Sequence, residues 1–134
     1  MIDDRLLVDT SAFYALMDRS DHHHETAVRL WTSLLVENYL LLTTNYVVVE
    51  TLALLQGRLG FEAARLWQRD ILDVVVVVWT DESVHSRALE LWLSLGRRKV
   101  SLVDCVSFVT LRLQKIEKVF AFDKHFSEQG FEVL

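Results

Sequence analysis

Apolar residues along this chain fall in two rhythms. Short, nearly continuous runs stand at Leu6–Val8, Leu40–Thr43, Val74–Val78, Val119–Phe122 and Phe131–Leu134. Runs of this length predict strands covered on both faces, and the β-branched run Val74–Val78 is the strongest of them. Elsewhere the apolar residues recur every three or four positions, the spacing of a helix with one buried face. Ser11 to Met17 predicts a short helix that Asp9, Thr10 or Ser11 is able to cap. A second begins near Asp21 and carries Ala27, Leu30, Trp31, Leu34 and Leu35 on one face. Asn45 predicts the cap of a third, reaching about Gly57, and a fourth runs from about Phe61 to Leu72. Asp81 and Glu82 open a fifth, with Val84, Ala88, Leu91, Trp92 and Leu95 in one stripe and Gly96 at its end. The sixth begins at Ser101 and is apolar nearly all round.

Strands alternating with helices predict an α/β fold, a parallel sheet with helices on both faces. No linker, repeat or low-complexity segment interrupts residues 1–134, so one domain is expected. With 51% hydrophobic residues the chain has ample material for a core. Its one cysteine, Cys105, allows no intrachain disulfide and favours a reducing compartment. The start, Met1-Ile2-Asp3-Asp4-Arg5, lacks the apolar stretch of a signal peptide. The longest uncharged stretch, between Glu37 and Glu50, is shorter than the ~20 apolar residues that span a bilayer. A soluble, cytoplasmic protein without membrane association is therefore expected. The formal net charge is -5, so the chain does not grip nucleic acid by overall charge. A nucleic-acid enzyme whose bound cations reverse the local sign stays open.

Four carboxylates call for an explanation. In parallel sheets, ligands bind beyond the carboxyl ends of the strands, where strand order reverses. Asp9 and Asp123 stand just past two such ends. Taken singly, Asp9 reads as a helix cap and Asp123 as a turn residue. Glu50 is odder, because its neighbours one helical turn away are Tyr46, Val47, Ala53 and Leu54. A carboxylate in an apolar stripe must be paired, metal-bound or protonated, and no lysine or arginine lies within a turn of it. Asp104 sits in the first turn of the most apolar helix. With Ser101 it resembles a capping box, and with Ser107 it leaves one polar strip. If the strands before Asp9 and Asp123 are neighbours, all four acids converge. Such a cluster is tolerable around Mg²⁺ or Mn²⁺, and the chemistry this points to is phosphodiester hydrolysis.

These residues resemble a PIN domain, most closely the VapC-type toxins of toxin–antitoxin pairs. The matching stretches are Leu7-Val8-Asp9-Thr10-Ser11-Ala12, then Asp18 and Asp21 with His24 and Ala27. Glu50 follows on its apolar helix, then Ser101-Leu102-Val103-Asp104-Cys105 and Phe122-Asp123-Lys124-His125-Phe126. The resemblance covers essentially the whole chain. It implies a three-layer sandwich around a five-stranded parallel sheet of order 3-2-1-4-5, with the first and fourth strands side by side. It implies a metal-dependent endoribonuclease in which Asp9, Glu50, Asp104 and Asp123 are catalytic and hold Mg²⁺ or Mn²⁺, with Ser11 supporting Asp9. Hydrolysis would use metal-activated water and leave 5′-phosphate and 3′-hydroxyl ends. It also implies an RNA substrate, a cognate antitoxin protein and a homodimer. The chain departs from the family at Ala121, where many members have Thr or Ser, and at His125, where some have a further acid. A housekeeping RNA-processing nuclease without antitoxin, and a non-catalytic PIN-like module, are the alternative readings.

Other candidates weigh less. Side chains of His22, His23 and His24 project about 100° apart on a helix, so they cannot share one ion. His85 and His125 have no partner at ligand spacing, and Cys105 reads as a core thiol. Arg97-Arg98-Lys99 is the only basic run and the candidate contact for RNA phosphates. Trp31, Trp67, Trp79 and Trp92 are expected mostly in the core, with part of the apolar surface left for a partner.

Overall fold

The computed structural model of the chain describes residues 3–134. Met1 and Ile2, which begin the stretch read above as lacking a signal peptide, lie outside the described residues. In chain order the first half runs β1 (Arg5–Val8), α1 (Thr10–Met17), α2 (His24–Val36), β2 (Leu40–Thr44), α3 (Asn45–Leu59) and α4 (Phe61–Leu66). A π-helical turn at Trp67–Ile71 and a 3-10 turn at Leu72–Val74 lead into β3 (Val76–Val78). Then come α5 (Glu82–Leu95), α6 (Leu102–Gln114), β4 (Lys118–Phe120), α7 (His125–Glu128) and β5 (Glu132–Val133).

The five strands are parallel and ordered β3-β2-β1-β4-β5, so β1 and β4 are neighbours. Leu6 pairs in register with Leu41, Leu7 with Leu42 and Val119, and Val8 with Phe120. Because strand side chains alternate, this register divides the apolar residues between two faces. Leu6, Val8, Leu41 and Phe120 pack with Phe13, Ala27, Trp31 and Leu55 from the first three helices and with Trp67 from the π-helical turn. Leu7, Leu42, Val119 and Ala121 pack with Ala88, Val106, Phe108, Leu111 and Phe126 from the last three. The three layers follow directly from that division. No helix among the described residues is long and apolar enough to cross a membrane.

Several local expectations change. The strand read at Val74–Val78 keeps only Val76–Val78, since Val74 closes the 3-10 turn. β3 is an edge strand paired to β2 alone, so nothing on its other side extends the ladder. Asn45 does not cap α3. Thr44, with extended backbone, accepts the Val47 N–H instead, and the Asn45 side chain accepts the Thr80 N–H at 2.7 Å as the chain leaves β3. α2 starts at His24 rather than near Asp21, whose carboxylate accepts the His23 N–H in the preceding turn. Of the tryptophans, Trp31 and Trp67 are buried while Trp79 and Trp92 are exposed.

Phe13 anchors the first face. Fully buried, it meets Trp31 and Trp67 edge-on, with ring centroids at 6.4 and 5.0 Å. Phe13→Ala should lower the unfolding free energy by about 3–5 kcal/mol in urea titration, because Trp31 and Trp67 cannot close over the cavity its ring would leave.

Candidate active site

Beyond the carboxyl ends of β1 and β4 the chain places its acids by local hydrogen bonding. The Asp9 N–H donates to the Phe120 carbonyl at 3.0 Å, which carries the β1–β4 ladder one residue past the strand end. Asp9 is also the N-cap of α1, where its Oδ2 accepts the Ser11 N–H at 3.1 Å and the Ser11 hydroxyl at 2.8 Å. The same hydroxyl accepts the Phe122 N–H at 2.9 Å. One serine thus ties the end of β1 to the segment leaving β4.

Asp104 is fixed by the capping box of α6. The Ser101 hydroxyl accepts the Asp104 N–H at 3.1 Å, and Asp104 Oδ2 accepts the Ser101 N–H at 3.0 Å. Asp123 Oδ1 accepts the His125 N–H at 2.9 Å. Glu50 makes no side-chain hydrogen bond among the described residues and lines a cavity of about 380 Å³ with Asn45, Tyr46, Val49 and Val103. Val103 is the chain neighbour of Asp104, so Glu50 faces the first turn of α6.

Each of the three aspartates therefore has one oxygen held by backbone or hydroxyl donors. The other, Oδ1 of Asp9 and Asp104 and Oδ2 of Asp123, accepts no hydrogen bond among the described residues. Among the described residues, no lysine or arginine forms an ion pair with any of the four acids. Asp9 and Asp104 are only 4% and 8% exposed. Burial first, then the charges of Asp104 and Glu50, push the Asp9 carboxyl up to about 7 against the pull of the Ser11 hydrogen bonds. Burial likewise raises Asp104 to about 6, with Asp123 and Glu50 adding to it and the Ser101 N–H opposing.

Asp104 thus lies within electrostatic reach of Asp9, Glu50 and Asp123, and Asp9 within reach of Glu50 as well. As they stand, no three His, Cys, Asp or Glu side chains among the described residues close on one point as ligands of a single ion would. The donor set itself fits a hard divalent cation: oxygen only, anionic, oriented from outside and short of positive partners.

The basic run lies on the α7 side. Arg97 pairs with Glu128 at 2.7 Å, while Arg98 and Lys99 have no ion pair among the described residues. Two histidines set aside in the sequence do have partners. His125 is buried, with Nε2 3.5 Å from Asp123 and Nδ1 3.8 Å from Glu128. The His85 ring meets the Tyr46 hydroxyl at 2.5 Å. Spacing of two and three residues foreshadows the first contact; nothing local foreshadows the second, which joins positions 39 apart. A ring stack of His22, His23 and Phe122 also went unforeseen, because it joins residues about a hundred positions apart.

The chain belongs to the PIN-domain family: residues 6–132 match the family model described as PIN domain. Among its relatives is the 23S rRNA-specific endonuclease VapC20 of Mycobacterium tuberculosis, 36% identical over 127 residues, which span 94% of this chain and 95% of that protein. The crystal structure of that VapC20, described as a sarcin–ricin loop cleaving toxin, superposes with a TM-score of 0.84 at 35% identity over 94% of this chain and 95% of the other. FitAcB from Neisseria gonorrhoeae, 16% identical with 96% of each chain covered, superposes with a TM-score of 0.70 and shares the fold.

Raised carboxylate pKa values carry a cost in stability. Folded Asp9 and Asp104 bind protons more tightly than their unfolded counterparts near 4, so the folded state holds more protons between about pH 4 and pH 7. Stability of the metal-free protein should therefore fall as pH rises through that window and level off above it. Thermal unfolding with EDTA present should show a higher Tm at about pH 5.5 than at about pH 7.5. Asp9→Asn should flatten the slope and raise the Tm at the higher pH; an unchanged slope would contradict the burial argument.

Proposed function

We propose that this chain is a divalent-metal-dependent endoribonuclease acting as the toxin of a toxin–antitoxin pair. The observation that supports this most strongly is the trio of aspartates beyond the carboxyl ends of β1 and β4, Asp9 and Asp104 buried and Asp123 partly so, each with one oxygen held by a donor and one unengaged among the described residues. Asp9, Asp104 and Asp123 would hold Mg²⁺ or Mn²⁺, with Glu50 contributing directly or through water. Such an ion supplies the positive charge that lets a phosphate approach the acids and that acidifies a nearby water. The rest is done by the chain. Ser11 holds one oxygen of Asp9, the Ser101 N–H one of Asp104 and the His125 N–H one of Asp123, which would leave the other oxygen of each for the ion. Glu50 arrives from the opposite helix with its carboxylate uncommitted.

RNA as substrate and a toxin's role are carried over from VapC20, whose name records cleavage of 23S rRNA. That RNA is accordingly the first substrate to test. Arg98 and Lys99, with Arg97 beside them, are the proposed phosphate contacts. Exposed apolar residues, among them Val49, Phe61, Trp79 and Leu93, supply surface for an antitoxin protein and for a second copy of the chain.

With Mn²⁺ present the protein should cut RNA to 5′-phosphate and 3′-hydroxyl ends, read by end-labelling. Cyclic 2′,3′-phosphates would show the ribose hydroxyl attacking instead. Asp9→Asn and Asp104→Asn should each lower cleavage at least about a hundredfold while leaving far-ultraviolet circular dichroism unchanged. Growth arrest on expression, absent with Asp9→Asn, would support the toxin role. Reversing the charges of Arg97, Arg98 and Lys99 should weaken RNA binding and leave Mn²⁺ affinity intact. Light scattering should give twice the 15.6 kDa chain mass.

A further inference from the structure

Beside the acids stands an aromatic shelf that the metal chemistry does not use. The Phe122 ring lies face to face with His23, centroids 4.3 Å apart and planes within 11°. His22 continues the pile at 3.8 Å from His23, tilted by 41°, and is exposed. Phe122 immediately precedes Asp123, and its N–H rests on the Ser11 hydroxyl that holds Asp9. From below, Phe120 meets Phe122 edge-on at 5.9 Å. The histidine segment is equally fixed. The His23 N–H donates to Asp21, the His24 N–H to the Asp21 carbonyl, and the His24 ring meets the Ala15 carbonyl at 2.7 Å.

We infer that Phe122, His23 and His22 form a nucleobase-stacking shelf that seats an unpaired base of the RNA next to the phosphate held at the acids. The inference rests on the nuclease reading above and specifies its substrate as RNA with an unstacked base, in a single strand or a loop. Three features favour a base over a phosphate. The stack ends in an exposed aromatic residue, His22, and every base has a π-face able to stack on such a ring. The side chain of His22 makes no hydrogen bond among the described residues, so burying its ring leaves no bonded partner stranded. The two segments that carry the shelf hold more acids than bases: Arg19 and Lys124 stand against the carboxylates of Asp123, of Asp18, which accepts from the Tyr14 and Ser20 hydroxyls, and of Asp21, which accepts from the His23 N–H. These repel a phosphate and leave a neutral base unaffected.

The test separates this shelf from the nuclease reading by measuring binding without cleavage. On an Asp9→Asn background, a fluorescein-labelled single-stranded RNA of about a dozen nucleotides is titrated by anisotropy. His23→Ala should weaken binding about tenfold and His22→Ala by a smaller factor, while His23→Phe should restore affinity to within about twofold. An RNA made abasic at the stacked nucleotide should bind weakly to the parent and no more weakly to His23→Ala. With Asp9 intact, His23→Ala should raise KM about tenfold and leave kcat and Mn²⁺ affinity within about twofold. Equal RNA binding by the parent, His22→Ala and His23→Ala would overturn the shelf even if the parent cleaves RNA. So would a His23→Ala effect confined to kcat and metal affinity, which would mean that the stack only props Asp123. Should His23→Ala melt early, the His22→Ala and abasic arms still decide. An RNA that binds through the stack but is never cut would sink the nuclease reading and leave the shelf standing.

Discussion

The Ser11 hydroxyl is the point on which this site turns. It gives its proton to Asp9 and takes the Phe122 N–H, so a single oxygen joins the exit of β1 to the exit of β4. Asp9 sits in a place that opposes its charge, buried and facing two other carboxylates. Without directed donors it would rotate, protonate or leave the pocket. With them, one oxygen is satisfied at low desolvation and the other stays available. The Ser101 and His125 N–H groups repeat the device at Asp104 and Asp123.

The sheet makes this arrangement possible. Because β1 and β4 are neighbours with parallel direction, two chain segments more than a hundred residues apart leave the sheet side by side. The helix that follows β1 begins immediately, so Asp9 serves as its cap as well as a proposed site residue. The geometry that caps the helix is the same one that the proposed metal-binding role would use. A carboxylate turned toward a helix N-terminus is oriented by donors that the helix leaves unpaired. Asp104 obeys the same logic on α6. This explains why each acid has an ordinary local excuse in the sequence and why the cluster shows only in the sum.

Electrostatic strain of this kind is a common companion of function, since binding groups are set against the stability of the fold. The surrounding core compensates. Phe13, Trp31 and Trp67 fill one face of the sheet, and Phe108, Phe126 and Leu111 fill the other. Two well-packed layers hold the strand ends still while the acids repel one another at their tips.

The sequence by itself determined the alternation of strands and helices, the two-faced burial of the sheet and the capping box at Ser101 and Asp104, and it singled out the four acids that the proposed function uses. Those are readable because period, β-branching and capping chemistry act over a few residues. The tertiary structure alone decided what distant residues do to each other. It moved the α3 cap from Asn45 to Thr44, because Asn45 was needed at Thr80. It gave His85 to Tyr46 and laid His23 on Phe122. It cut the valine run to three residues at an edge with no further strand to pair. It also raised the carboxyls of Asp9 and Asp104, because a pKa is set by burial and by neighbouring charge, and both come into being only when strands and helices from far along the chain are packed together.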